Sequence, residues 1–197
     1  SWLQDLRKKA FDKIDQLELP TIERVKFHRW NLGDGTITES EASANIPDFT
    51  ALDSNVKLVQ FGTQTVFEQI PQSLADQGVL FTDFHSALEE IPQLVEDYFM
   101  SSVKYDDDKL AAYHTAYFNS GAVLYIPDNV EIEEAIEGIF YQDSDSDVPF
   151  NKHILIIAGK NSKFSYLERL ESKGNGSEKA TANVTVEVIA RSGAQVK

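Results

Sequence analysis

The chain has 197 residues, 42% hydrophobic and 11% aromatic, enough apolar material for one large or two small domains and too much for a disordered segment. Its formal charge of -14 argues against nucleic acid, and the absence of cysteine removes disulfides, thiolate metal sites and cysteine nucleophiles. No apolar run approaches the roughly 18 residues of a membrane span and no signal-peptide pattern opens the chain, so a soluble, cytoplasmic protein is expected.

Leu3, Leu6, Ala10, Ile14 and Leu17 fall at helical spacing with Arg7, Lys8, Lys9 and Lys13 between them, and Pro20 closes the stretch. Residues 31–55, rich in Gly, Ser, Thr and Asn, read as an irregular crossing segment. Val56–Phe61 and Thr65–Ile70 read as two short strands around Gly62-Thr63. Thr82 or Asp83 is placed to cap a helix through Glu90, and Pro92 to open another running to about Val103. Asp106 or Asp107 is expected to cap a third, ending near Phe118. From Gly121 onward the pattern is β-rich. The predicted organisation is therefore a mainly helical region with a few short strands, residues 1–118, and a strand-rich region, residues 119–197.

The second region repeats itself. Ile157-Ala158-Gly159-Lys160-Asn161-Ser162-Lys163-Phe164 aligns with Ile189-Ala190-Arg191-Ser192-Gly193-Ala194-Gln195-Val196 further along the chain. A related unit, Ile126–Ile132, precedes them with one residue fewer in its turn. Strands recurring with turns at fixed places suggest stacked coils. Val184, Val186 and Val188 alternate with Asn183, Thr185 and Glu187, so the valines are assigned inward and the polar residues outward. Gly193-Ala194-Gln195-Val196 begins another coil, from which a piece of a longer protein is expected, with self-association through the open strand edge.

Candidate chemistry yields mostly negatives. Asp143-Ser144-Asp145-Ser146-Asp147 imitates the opening of a calcium loop, but Val148 stands where Gly belongs and Ile154 where a bidentate Glu belongs. Gly159-Lys160 lacks the earlier glycine of a phosphate loop, and Gly33-Asp34-Gly35 has Thr38 where the dinucleotide motif needs glycine. His28, His85, His114 and His153 lie far apart in sequence, and His153, beside Ile154–Ile157, reads as a structural or strand-edge residue. Residues 128–147 hold eight acids and no Lys or Arg, which reads as a solvated loop or as an acidic surface for a basic partner or metal. No catalytic, cofactor-binding or metal-binding residue is assigned, and no enzymatic activity is expected of this segment.

The stretch Ala111-Ala112-Tyr113-His114-Thr115-Ala116-Tyr117-Phe118-Asn119-Ser120-Gly121-Ala122-Val123-Leu124-Tyr125-Ile126-Pro127 resembles the SufB/SufD family of the SUF iron–sulfur assembly system. There, a helix ending in an "alnta" phrase precedes a glycine and a "fvyvP" strand. Val130-Glu131-Ile132, His153–Ile157 and Phe164–Glu168 are similar to the family's coils, and Arg29-Trp30 loosely to its tryptophan phrase. The short helical lead-in and missing cysteines make the chain more similar to SufD than to SufB.

The resemblance implies an α+β fold, with a helical region followed by the start of a right-handed parallel β-helix covering about half of a family member. It implies a scaffold subunit acting with SufB and the ATPase SufC, whose contacts fall mostly in the other half. ATP is then used through SufC, clusters are carried by the full complex, and neither cofactor is held by this segment; membrane and nucleic acid are not partners. Two rivals are a SufB-like subunit and a β-helix enzyme acting on acidic polysaccharide. The second needs clustered carboxylates with bases to hold an anion, and few bases lie on the strand faces.

Overall fold

The computed structural model describes residues 1–32, 35–40 and 54–197. Gly33 and Asp34 of the glycine motif, and residues 41–53 of the predicted crossing segment, lie outside the described residues. The architecture is α+β, an N-terminal helix and further short helices against mixed sheets.

Helix α1 (Trp2–Ile14) starts at Ser1, whose side chain and that of Gln4 cap each other's backbone. Leu3 and Leu6 turn toward a core shared with the other helices. Arg7 donates to the carbonyls of Ala116 and Phe118 at 2.8 and 2.7 Å, and its guanidinium lies 4.0 Å from the Phe118 ring centre. That cation satisfies the carbonyl end of a second helix and fastens the two together.

A short helix, α2 (Gln72–Ala75), precedes α3 (Phe84–Glu90), which Asp83 caps by accepting from Ser86 N at 3.0 Å. Helix α4 (Pro92–Tyr98) begins on proline as expected but stops well short of Val103. The reason lies at Phe99, which is extended, and at Met100, which has φ 53°, a left-handed value that L side chains rarely adopt. Helix α5 (Lys109–Tyr117) is capped by Asp108 rather than Asp106 or Asp107, because Asp108 accepts Ala111 N at 2.8 Å while Asp107 closes a local turn on Lys104 N.

Among the described residues the strands follow in chain order as β1 (Lys57–Phe61), β2 (Gln64–Gln69), β3 (Leu80–Asp83), β4 (Ser120–Ile126), β5 (Ile136–Asp143), β6 (Phe150–Ala158), β7 (Lys163–Phe164), β8 (Tyr166–Lys173), β9 (Ala182–Ala190) and β10 (Gln195–Val196). One sheet has the order β2-β1-β5-β8, a second β3-β4-β6-β9, and β7 pairs with β10. Only the β1–β2 and β3–β4 pairs among these are antiparallel. Strands before residue 118 thus enter the same sheets as those after it. The acidic stretch is not a continuous loop. Its apolar Ile136, Ile139, Phe140 and Tyr141 make β5 an inner strand, with Glu137 buried and held by Arg169 at 3.2 Å.

The repeat has structural meaning. Ile126 lies opposite Ala158 and Ala158 opposite Ala190, so the interval is the same at both steps and the first turn is not shorter. Asn129, Asn161 and Gly193 occupy the same place in successive turns, all with positive φ. Asn161 Nδ2 donates to Asn129 Oδ1 at 3.4 Å, and a Cβ on Gly193 would collide with Asn161 Oδ1.

Apolar residues fill two sides of the second sheet. Leu124, Ile126, Ile154 and Ile156 join Leu58, Phe81, Ile136 and Phe140 in a core between the sheets. Val123, Leu155 and Ile157 face the helices with Phe84, Phe99 and Phe118. Strand β6 is consequently buried at every position, as a central strand covered on both faces must be.

On β9 the valines share the inter-sheet side with Ile154 and Ile156 and Glu187 shares the helix side with Leu155, as assigned, but the burial expected of the two faces needs correction. Val184 packs against the inter-sheet core, but Val186 and Val188 are 42% and 47% exposed, whereas Glu187 is 1% exposed. Period two separates the faces correctly, but the face carrying Glu187 lies under the helices rather than in water.

Candidate functional site

Glu187 reaches from β9 into a gap that the irregular end of α4 creates. Its Oε1 accepts Met100 N at 2.6 Å, and its Oε2 accepts Ser102 N at 2.8 Å and Val103 N at 3.3 Å. These bonds supply acceptors to a turn that has left helical geometry, and so hold Met100 in its left-handed conformation. His153 Nε2 stands 3.0 Å from Oε1, at ion-pair distance though not aligned as a hydrogen bond.

The polar chain continues inward. His153 Nδ1 is 2.9 Å from His114 Nε2 on α5, and His114 Nδ1 is 2.9 Å from the Asn183 side-chain oxygen on β9. Two histidines separated by 39 residues are hydrogen-bonded, although the sequence showed no spacing that joins them. The rings of Phe99, Phe118 and Phe84 enclose His153, with Phe99 nearest at 4.4 Å between centres. Burial holds both imidazoles below the ordinary histidine value, His114 at about 3, its neighbour His153 adding to the effect there. Burial pushes the Glu187 carboxyl up, yet His153 and the Met100 and Ser102 amides outweigh it and set it below the usual range. The resting state is thus an ionised carboxylate beside two neutral imidazoles.

Lys152, next to His153 but on the opposite face of β6, is also fully buried. Its Nζ donates to Gln60 Oε1, Ser120 Oγ and Gly62 O at 2.7, 2.8 and 3.0 Å, with the Phe150 ring 4.8 Å away. Burial lowers its pKa to about 7. The cage suits either protonation state, because the Ser120 hydroxyl accepts from an ammonium and can donate to an amine. Lys152 ties the two large sheets together at one end of their shared core.

The calcium-like run serves another purpose. Asp145 accepts Asn175 N and Asp147 accepts Ser177 Oγ, both at 2.8 Å, so these acids hold the loop between β8 and β9. Among the described residues no group of three His, Asp or Glu side chains is arranged to hold a metal ion. A groove of about 480 Å³ runs beside β9, bounded by Trp30, Val103, Asp108, Leu110 and Asn183. Among the described residues no helix is long and apolar enough to cross a membrane.

The phrase 111–127 that carries the family resemblance corresponds to α5 and β4, the helix supplying His114 and the strand beside β6. Residues 1–137 match the model of the SufBD protein N-terminal region. The chain belongs to the SufB/SufD family. It is 32% identical over 208 residues to the iron–sulfur cluster assembly protein SufD of Bacillus subtilis, covering 100% of this chain and 47% of that protein. It is 27% identical to an iron–sulfur cluster assembly SufBD family protein of Staphylococcus haemolyticus, covering 85% of this chain and 35% of that one. A SufBD family protein of Staphylococcus aureus is 26% identical over the same shares. The chain therefore spans less than half the length of these family members. His114 lies within the residues that the family model matches, whereas Lys152, His153 and Glu187 lie beyond them but within the stretch aligned with B. subtilis SufD.

Proposed function

We propose that this chain contributes the helical region (1–118) and first coils (119–197) of a right-handed parallel β-helix, in a SufD-like scaffold subunit of the cytoplasmic iron–sulfur cluster assembly complex. The partners are SufB and the ATPase SufC, which bind mainly through parts of the subunit beyond this chain. Cluster and nucleotide are cargo and fuel of the complex, and this segment holds neither. The observation that carries the reading is the parallel register that advances by one constant interval through β4, β6 and β9, in a chain of the SufB/SufD family. Parallel coils satisfy one another's backbone and make a stiff rod with lateral faces, which suits holding subunits at a fixed separation.

The test is a chimaera in which this chain replaces the corresponding segment of B. subtilis SufD. The expected result is a SufB–SufC–chimaera complex that restores cluster-dependent enzyme activity in a strain lacking SufD. A folded chimaera that recovers neither complex nor activity would overturn the proposal. Anaerobic reconstitution of the chain alone with iron and sulfide is expected to leave no visible absorbance after desalting. A stoichiometric cluster there would contradict the scaffold reading.

A further inference from the structure

The chain Asn183–His114–His153–Glu187 runs as one polar path through α5, β6, β9 and the turn that follows α4. Glu187 holds the 100–103 turn through three backbone amides, His153 stands on β6, and His114 brings α5 beside Asn183 of β9. The turn depends on this carboxylate, because its other bonds, such as Ser101 N to Tyr98 O at 3.1 Å, are local. Met100 is held at φ 53°, so the segment has a relaxed alternative once released.

Proton counting shows how release occurs. In the resting state His153 presents Nε2–H to Glu187 and His114 donates Nε2–H to His153 Nδ1, which leaves His114 Nδ1 facing the Asn183 oxygen without a proton between them. One added proton is accommodated: His153 becomes the imidazolium, donates Nδ1–H to His114 Nε2, and His114 then donates Nδ1–H to the Asn183 oxygen. A second has no place. Two N–H groups would face each other across 2.9 Å, or a carboxylate oxygen already accepting backbone amides would have to become a hydroxyl. The charged groups facing this chain are Arg7 from α1, which disfavours further positive charge, and Glu187 from β9. Helix α3 and the end of α4 contribute the Phe84 and Phe99 rings, which supply no compensating charge.

We propose that the His114–His153–Glu187 chain is an acid-released latch, which holds the α4–α5 connection and α5 against β9 and on release widens the groove between Trp30, Val103 and Leu110. The latch is shut by one carboxylate and two neutral rings, and opens on the second proton. The lowered values of both histidines and of Glu187 agree with opening in acid rather than at neutrality.

The test is amide exchange resolved by NMR from pH 7.5 down to about 2.5, each rate divided by its intrinsic rate. The Met100, Ser102 and Val103 amides are expected to lose protection at least about tenfold before the β6 amides of Leu155 and Ile156 change. Glu187→Gln, which keeps the shape and removes the charge, should lose that protection at neutral pH and show no further acid step. Should that variant fail to fold, Asn183→Ala answers the same question. It removes the acceptor for the first added proton, and should move the release to higher pH. Loss of the three amides together with β6 at every pH, or an acid step unchanged in Asn183→Ala, would overturn the latch.

Discussion

Glu187 sits between Val186 and Val188 in a β-branched run, and its effect on stability reverses the ordinary ranking of those residues. Replacing it with Ala removes the acceptor of three amides and leaves the buried His153 Nε2 without its carboxylate, a loss expected to cost about 3–5 kcal/mol. Val186→Asp at a 42% exposed position should cost only about 1 kcal/mol, since the new charge stays hydrated. Urea denaturation of both variants checks the order, and a larger loss in Val186→Asp would show that the valine side is the better covered one. Gly121 is demanded for a different reason. A Cβ there would run into the carbonyl oxygen of His153, a backbone atom of the paired strand that cannot swing away. Gly121→Ala is therefore expected to cost about 1–3 kcal/mol by the same measurement. Neither requirement was legible in full. The glycine was visible as part of a family phrase, but the His153 carbonyl it admits belongs to β6, a strand further along the chain.

At the scale of elements, the second sheet is covered by helices on one side and by the other strands on the opposite side. Alternation therefore fails as a guide to solvent on β9, although it still divides the faces. Helix starts were readable from Asp83 and Pro92 because capping is local chemistry, while the early end of α4 was not, because Glu187 imposes it from another strand. The histidine pair was hidden for the same reason. Its consequence appears in pH dependence. His114 titrates at 6.5 in an ordinary setting and at about 3 here, so between those values the unfolded chain binds the extra proton. Stability present above pH 6.5 is lost as pH falls, by about 1.4 kcal/mol per pH unit for one imidazole. Lys152 gives the same sign in another window. Its value falls from 10.5 to about 7, so stability is expected to rise with pH between them. Urea midpoints at pH 7 and 9 should show that rise in the natural chain and lose it in Lys152→Met, and an undiminished rise in the variant would exclude Lys152 as its source.

For the whole molecule, β8 and β9 are the outer strands of their sheets and carry Leu170, Val186 and Val188 at 42–50% exposure. An edge of this kind recruits strands, and the charge of -14 opposes large assemblies. Light scattering is expected to detect dimers or small oligomers that Val186→Lys or Val188→Lys weakens, and a strict monomer at high concentration would refute the exposed-edge account. The recurring interval was legible at this scale because turn residues such as Asn161 and Gly193 mark it, whereas the strand in the acidic stretch was not. Its apolar residues are few and interrupted by Glu137, which needs Arg169 to be buried.

The two sheets do not advance in equal steps. Ile132 and Phe164 stand a full repeat apart beside the β7 pairing, but Ile136 and Tyr166, next in the first sheet, are closer than that in sequence. Glu133-Glu134-Ala135 before β5 answers to Ser165 alone before β8. The difference is recovered after the strand, where residues 144–149 correspond to the longer 174–181 before β6 and β9 resume the full interval. Length is thus free to vary at two corners and fixed at the third, where Asn129, Asn161 and Gly193 align. Those two corners are the places to graft a tag, an epitope or a tether. A short insertion after Gly176, where a side chain would meet nothing, should leave the melting temperature nearly unchanged. The same insertion after Asn161 would shift every later strand out of step with its neighbour.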